Sequence, residues 1–116
     1  MNEELAELLF PHIKMSVEEI EAKYPNRDLK EGAMVTRFGP SPTGFIHVGN
    51  LYGAFISSQL AHQSGGIFYL RIEDTDSKRE VEGAKEAILK ALANYGIEYD
   101  EGYQKGGQYG PYVQSE

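Results

Sequence analysis

The 116-residue sequence contains no cysteine, which excludes a disulfide framework and a thiolate zinc site. Its histidines, His12, His47 and His62, are too scattered to suggest a metal held by the protein. No apolar run approaches the roughly 20 residues of a membrane span. Met1 to Phe10 is acidic and lacks the basic and apolar regions of a secretory signal. A cytoplasmic chain with no membrane partner is the resulting expectation. Basic charge is also scarce: 11 Lys and Arg stand against 18 Asp and Glu, a net charge of −7. Phosphate neutralisation needs clustered cations, so any nucleic-acid contact would be local or supplied by other segments.

What is present is globular in character. Hydrophobic residues at 41% and charged residues at 25% argue against a disordered acidic tail, and the length fits one small domain or a piece of a larger one. Residues 1–33 carry four basic and eight acidic side chains, residues 34–79 four and three, and residues 80–116 three and seven. The middle third is therefore the part that best tolerates an anion.

Asn2 to Phe10 places Leu5, Leu8 and Leu9 on one helical face, and Pro11 stops it. Ser16 followed by Glu19 is a capping-box pattern, after which Val17, Ile20 and Tyr24 predict a second short helix packed on the body of the protein. Residues 1–32 thus read as a helical extension, and 33–116 as the main domain. There, Ala33 to Phe38 predicts a strand, His47 to Gln63 a helix closed by Gly65 and Gly66, and Ile67 to Glu73 a strand buried on both faces. Strand, helix and strand form one βαβ unit, which requires parallel pairing. A further helix from Val81 to Tyr95 has Asp76 or Ser77 as candidate caps, and Ile97 and Tyr99 begin a third strand. Asp100 to Glu116 reads as irregular, with its tyrosines packing rather than stacking on bases. The expected fold class is α/β, an incomplete Rossmann-like parallel sheet in a truncated chain.

The stretch from Thr36 to Asn50 carries the chemistry. Pro40 and Pro42 stiffen a loop between strand and helix, holding the Ser41 and Thr43 hydroxyls at the C-terminal edge of the sheet, where ligands bind in such folds. His47 stands at the start of the following helix, whose free N–H groups and dipole favour an anion, and Gly49 permits close approach. A polyphosphate fits. Neither G-x-x-x-x-G-K-[ST] nor G-x-G-x-x-G is present, so a P-loop enzyme and a dinucleotide enzyme are both unsupported.

The segment Val35 to Asn50 resembles the N-terminal signature of bacterial-type glutamyl-tRNA synthetases, class I enzymes. There an Arg-Phe-x-Pro-Ser-Pro-Thr-Gly loop precedes a His-Ile-Gly-His-type motif. Arg71-Ile72-Glu73-Asp74-Thr75-Asp76 is similar to the next family block, and Gly110 to Glu116 to a third. The resemblance implies His47 and Gly49 as catalytic residues and Thr43, His47, Gly49 and Asn50 as ATP contacts. It implies Arg37, Ser41 and Glu73 as contacts to L-glutamate. Arg37 offers a fork of donors to a carboxylate, and Ser41 and Glu73 can accept from an ammonium. The bland alternative is that Arg37 and Glu73 simply pair with each other, or Glu73 with Arg71.

The implied parent activity is ATP-dependent ligation of L-glutamate to tRNA(Glu) through glutamyl-adenylate, with Mg2+ arriving on ATP and no metal held by the protein. Two departures stand out: Asn50 replaces the second His of the motif, and Gly39 stands where Ala is usual. The family's Lys-Met-Ser-Lys-Ser motif is missing, Lys14-Met15-Ser16 being read as coincidence with a helix cap. Glu73, Asp74 and Asp76 lack the spacing of a calcium loop. Other readings are a glutamyl-Q tRNA(Asp) synthetase, which modifies a tRNA base, and a non-catalytic nucleotide- or glutamate-binding module.

Overall fold

The structure, a computed structural model, describes residues 3–116. Its elements are α1 (Glu3–Leu9), α2 (Val17–Lys23), β1 (Val35–Phe38), α3 (Val48–Ser64), β2 (Ile67–Leu70), α4 (Ala84–Asn94) and β3 (Glu101–Gly102). The three strands form one parallel sheet in the order β1-β2-β3, with Arg37 beside Tyr69 and Tyr69 beside Glu101. This is the expected α/β architecture.

The core lies on one side of that sheet. Phe68 and Leu70 of β2, and Ile72 just beyond it, are wholly buried against Leu51, Ala54 and Ala61 of α3 and Ile88 and Leu92 of α4. Burying a side chain of this size contributes about 1.5–3 kcal/mol. The period-2 alternation of a strand sends Ile67, Tyr69 and Arg71 to the opposite face, where they are only half-buried. β2 is therefore not buried on both faces as its apolar run suggested, because among the described residues nothing comparable to α3 and α4 covers the second side.

Local signals end the elements where residue chemistry dictates. Gly65 closes α3 in the left-handed conformation, at φ 74°. A side chain on Gly66 would place its Cβ 1.8 Å from the Met34 carbonyl oxygen, so only glycine lets the chain turn into β2 there. α4 begins at Ala84 behind Gly83, not under Asp76 or Ser77; Asp76 instead accepts from Arg79 at 2.5 Å. β3 starts two residues later than Tyr99, while Ile97 joins the core. His62 is exposed at the helix edge, with Nε2 2.9 Å from Asp100. Asp100 also accepts from the Phe68 N–H, which ties β2 to the approach of β3.

The N-terminal helices form but do not pack. Ser16 caps α2 with the reciprocal Glu19 bond, a complete capping box. Neither α1 nor α2 has a buried residue, and Leu8 and Val17 are largely exposed, contrary to the expected docking of α2. Of the first predicted helix, Asn2 lies outside the described residues. Hydrogen bonds to the body follow directly after α2. The Tyr24 hydroxyl donates to the Gly110 carbonyl, the Tyr109 hydroxyl donates to that of Pro25, and Arg27 grips both carboxylate oxygens of Glu101. The 100–116 segment is correspondingly less irregular than its composition suggests, since Val113 forms a parallel bridge with Ile72.

Candidate active site at the ends of the parallel strands

The loop from Gly39 to Ile46 leaves β1 and is pinned at two points. The Glu73 N–H donates to the Pro40 carbonyl and the Val81 N–H to that of Pro42, each at 2.9 Å, and the Pro42 ring is fully buried. Proline at both positions costs no hydrogen bond, because here each residue supplies only its carbonyl. The loop frames a cavity of about 280 Å³ lined by Ser41, Thr43, His47 and Asn50, with Ile88 of α4 among its walls.

His47 caps α3 rather than lying within it. Its Nδ1 accepts from the Gly49 N–H at 3.2 Å, and the Asn50 side-chain oxygen accepts from the His47 N–H at 3.3 Å. With Nδ1 accepting, the neutral ring carries its proton on Nε2, which has no partner among the described residues and can donate outward. Gly49 does not line the cavity. A Cβ there would lie 3.0 Å from the imidazole Cε1, so its bare backbone is what admits the histidine ring over the helix end.

Arg37 and Glu73 stand beside this cavity without lining it. They occupy the same face at the ends of adjacent strands, and the Arg37 Nη1 donates to Glu73 Oε1 at 2.7 Å. The pair expected as the bland alternative is thus formed. It is open to solvent, with the arginine side chain 48% and the glutamate 26% exposed. Among the described residues Glu73 Oε2 has no partner, so the pair presents a cation and an anion side by side. That arrangement is complementary to a zwitterion. Gly39 adjoins it: a Cβ there would lie 3.2 Å from Glu73 Oε1 and 3.4 Å from Arg37 Cζ.

The three carboxylates of the Glu73 to Asp76 segment diverge. Glu73 meets Arg37 and Asp76 meets Arg79, while Asp74 is buried and accepts from the Ser115 N–H at 2.9 Å, its hydroxyl at 2.7 Å and Lys85 at 3.3 Å. Burial alone would push the Asp74 carboxyl up, but the bonds from Ser115 and Lys85 outweigh it and hold its pKa below the ordinary value. Among the described residues no cluster of metal-ligating side chains forms.

Residues 33–116 match the family model of tRNA synthetases class I (E and Q), catalytic domain. The chain belongs to this family. It is 55% identical over 118 residues to a glutamate–tRNA ligase of Clostridium perfringens, covering 98% of this chain and 22% of that protein. It is 57% identical over 115 residues to one of Acetivibrio thermocellus, covering 96% and 21%. Among solved structures, the glutamate-tRNA synthetase of Elizabethkingia anophelis superimposes with a TM-score of 0.70 at 46% identity, over 72% of this chain and 17% of that one. A glutamate tRNA ligase from Elizabethkingia meningosepticum, solved in complex with its amino acid, gives 0.68 at 47% identity, over 70% and 16%. The chain spans about a fifth of the length of these curated relatives.

Within this synthetase segment Asp74 is a residue to which sequence reasoning gave no role. Its partner Ser115 lies 41 positions away, beyond any local pattern. The only available signal was that both belong to blocks resembling the same family.

Proposed function

We propose that this chain is the N-terminal part of a glutamate–tRNA ligase, with residues 1–32 a helical extension and 33–116 the first portion of the catalytic domain. In the whole protein, L-glutamate would attack the α-phosphate of ATP to give glutamyl-adenylate and pyrophosphate. The acyl group would then pass to the terminal ribose of tRNA(Glu). No enzyme nucleophile is needed, so positioning and electrostatics carry the rate. Mg2+ enters as part of the ATP substrate, and these substrates accord with a cytoplasmic location.

The observation that carries this reading is the juxtaposition of two different recognition surfaces at one sheet edge. The Arg37–Glu73 pair suits an amino acid zwitterion, with the ammonium near Glu73 and a carboxylate near Arg37. The neighbouring loop cavity suits phosphate: Ser41 and Thr43 supply hydroxyls, and the His47-capped start of α3 supplies the Nε2 donor and the positive end of the helix dipole. Asn50, in place of a second histidine, completes the cap.

Calorimetric titration with ATP, L-glutamate and a non-hydrolysable glutamyl-adenylate mimic tests the proposal. The mimic should bind more tightly than either component, since it engages both surfaces at once. Binding of ATP alone, with no gain from the glutamyl group, would leave only a nucleotide-binding module. The 116-residue chain by itself should not charge tRNA; charging by the purified chain would refute the assignment of the remaining catalytic parts to other segments.

A further inference from the structure

The face of the sheet turned away from α3 and α4 holds a separate cavity of about 240 Å³, closed on one side by the 109–112 loop. Arg27, Tyr69, Arg71, Glu101 and Tyr112 line it. Its two cations are in opposite situations. Arg27 is held by both carboxylate oxygens of Glu101 and lies 3.9 Å from the centre of the Tyr109 ring. The Arg71 guanidinium has no hydrogen-bond or ion-pair partner among the described residues, and its Nε is sealed from water. The carboxylates that share this face, Glu73 and Glu101, are taken by Arg37 and Arg27.

A charged N–H out of reach of both water and an acceptor is among the more costly features a fold can retain. We propose that this cavity binds a single carboxylate group, with Arg71 as its receptor. The two terminal Nη groups of a guanidinium present N–H donors side by side and match the two oxygens of a planar carboxylate, which also places a counter-charge beside the sealed Nε–H. Arg27 and Glu101 cancel, which leaves the cavity one uncompensated positive charge and favours a monoanion over a phosphate dianion. The rings of Tyr69 and Tyr112, 6.5 Å apart and inclined at 61°, give it flat apolar walls. The carboxylate belongs either to a small molecule in solution or to an Asp or Glu side chain of a polypeptide. The site shares no lining residue with the loop cavity of Ser41, Thr43 and His47, and it does not depend on the proposed ligase reading.

The test uses the whole chain, isotope-labelled, with the arginine Nε–Hε resonances followed by NMR. Sodium acetate and a blocked glutamate peptide are added separately, with sodium chloride at matched ionic strength as reference. The Arg71 Nε–Hε resonance should move and saturate with a carboxylate and not with chloride, while that of Arg27 stays in place. Saturation with acetate marks a free carboxylate as sufficient; saturation with the peptide alone marks a polypeptide side chain. Arg71→Lys, which keeps the charge but loses the fork, should weaken binding at least tenfold. Through-bond assignment in the unaltered chain keeps the result readable should that variant not fold. An Arg71 resonance that fails to saturate with either carboxylate, or that responds equally to chloride, overturns the proposal.

Discussion

Replacing Asp74 tests the clasp that ties the 110–116 segment to the sheet beside Glu73. Asp74 is 7% exposed and accepts three hydrogen bonds, two from Ser115 and one from Lys85. A hydrogen bond to a charged group is worth about 1.5–3 kcal/mol. The three do not add in full, because Ser115 is exposed and regains water, and Lys85 keeps Glu80 at 3.4 Å. Asp74→Ala should therefore cost about 2–4 kcal/mol, read as a lower midpoint in urea with an unchanged slope. The same bonds give the effect a pH signature. The folded-state pKa of Asp74 is depressed, so its contribution is fully present above the unfolded value, near about 4, and is lost as pH falls through the folded value. The stability gap between the native chain and Asp74→Asn should be widest at about pH 7 and narrow towards about pH 3. A gap that does not change with pH, or an alanine cost below about 0.5 kcal/mol, would refute the clasp.

Three further outcomes follow from the geometry. Gly66→Ala should destabilise the chain by about 3 kcal/mol or more in thermal or urea unfolding. Its Cβ would fall 1.8 Å from the Met34 carbonyl, which cannot retreat while it accepts from Ile67 at 3.0 Å. His47→Ala should cost about 1 kcal/mol by removing the cap of α3, whereas His47→Asn restores the cap. Both should weaken ATP in calorimetry, since neither carries the outward Nε2 donor; ATP affinity that follows stability instead would separate the cap from the ligand. Glu73→Gln should weaken the glutamyl-adenylate mimic at least tenfold, about 1.4 kcal/mol, and leave a mimic lacking the α-amino group unaffected.

Local chemistry wrote much of this into the sequence. The Ser16 and Glu19 box starts α2, Gly65 and Gly66 end α3, Gly96 follows α4, and the two prolines mark the loop beyond β1, because each signal acts within a few residues through backbone geometry or a nearby donor. The same holds for the order of strand, helix and strand, which allows only parallel pairing. His47 and Asn50 needed no distant partner to form their cap.

What tertiary structure alone decided is which side chains meet across long separations, since pairing there depends on how strands are laid side by side and not on neighbours in the chain. Sheet pairing put Arg37 in contact with Glu73 and gave Glu101 to Arg27, leaving the Arg71 guanidinium without an acceptor among the described residues. Docking of the last residues against Ile72 turned Asp74 from an apparent member of an acidic cluster into a buried anchor for Ser115. The apolar run of β2 could not tell how many of its faces would be covered, because burial is a property of what packs on a strand, and among the described residues α3 and α4 pack on one side of this sheet.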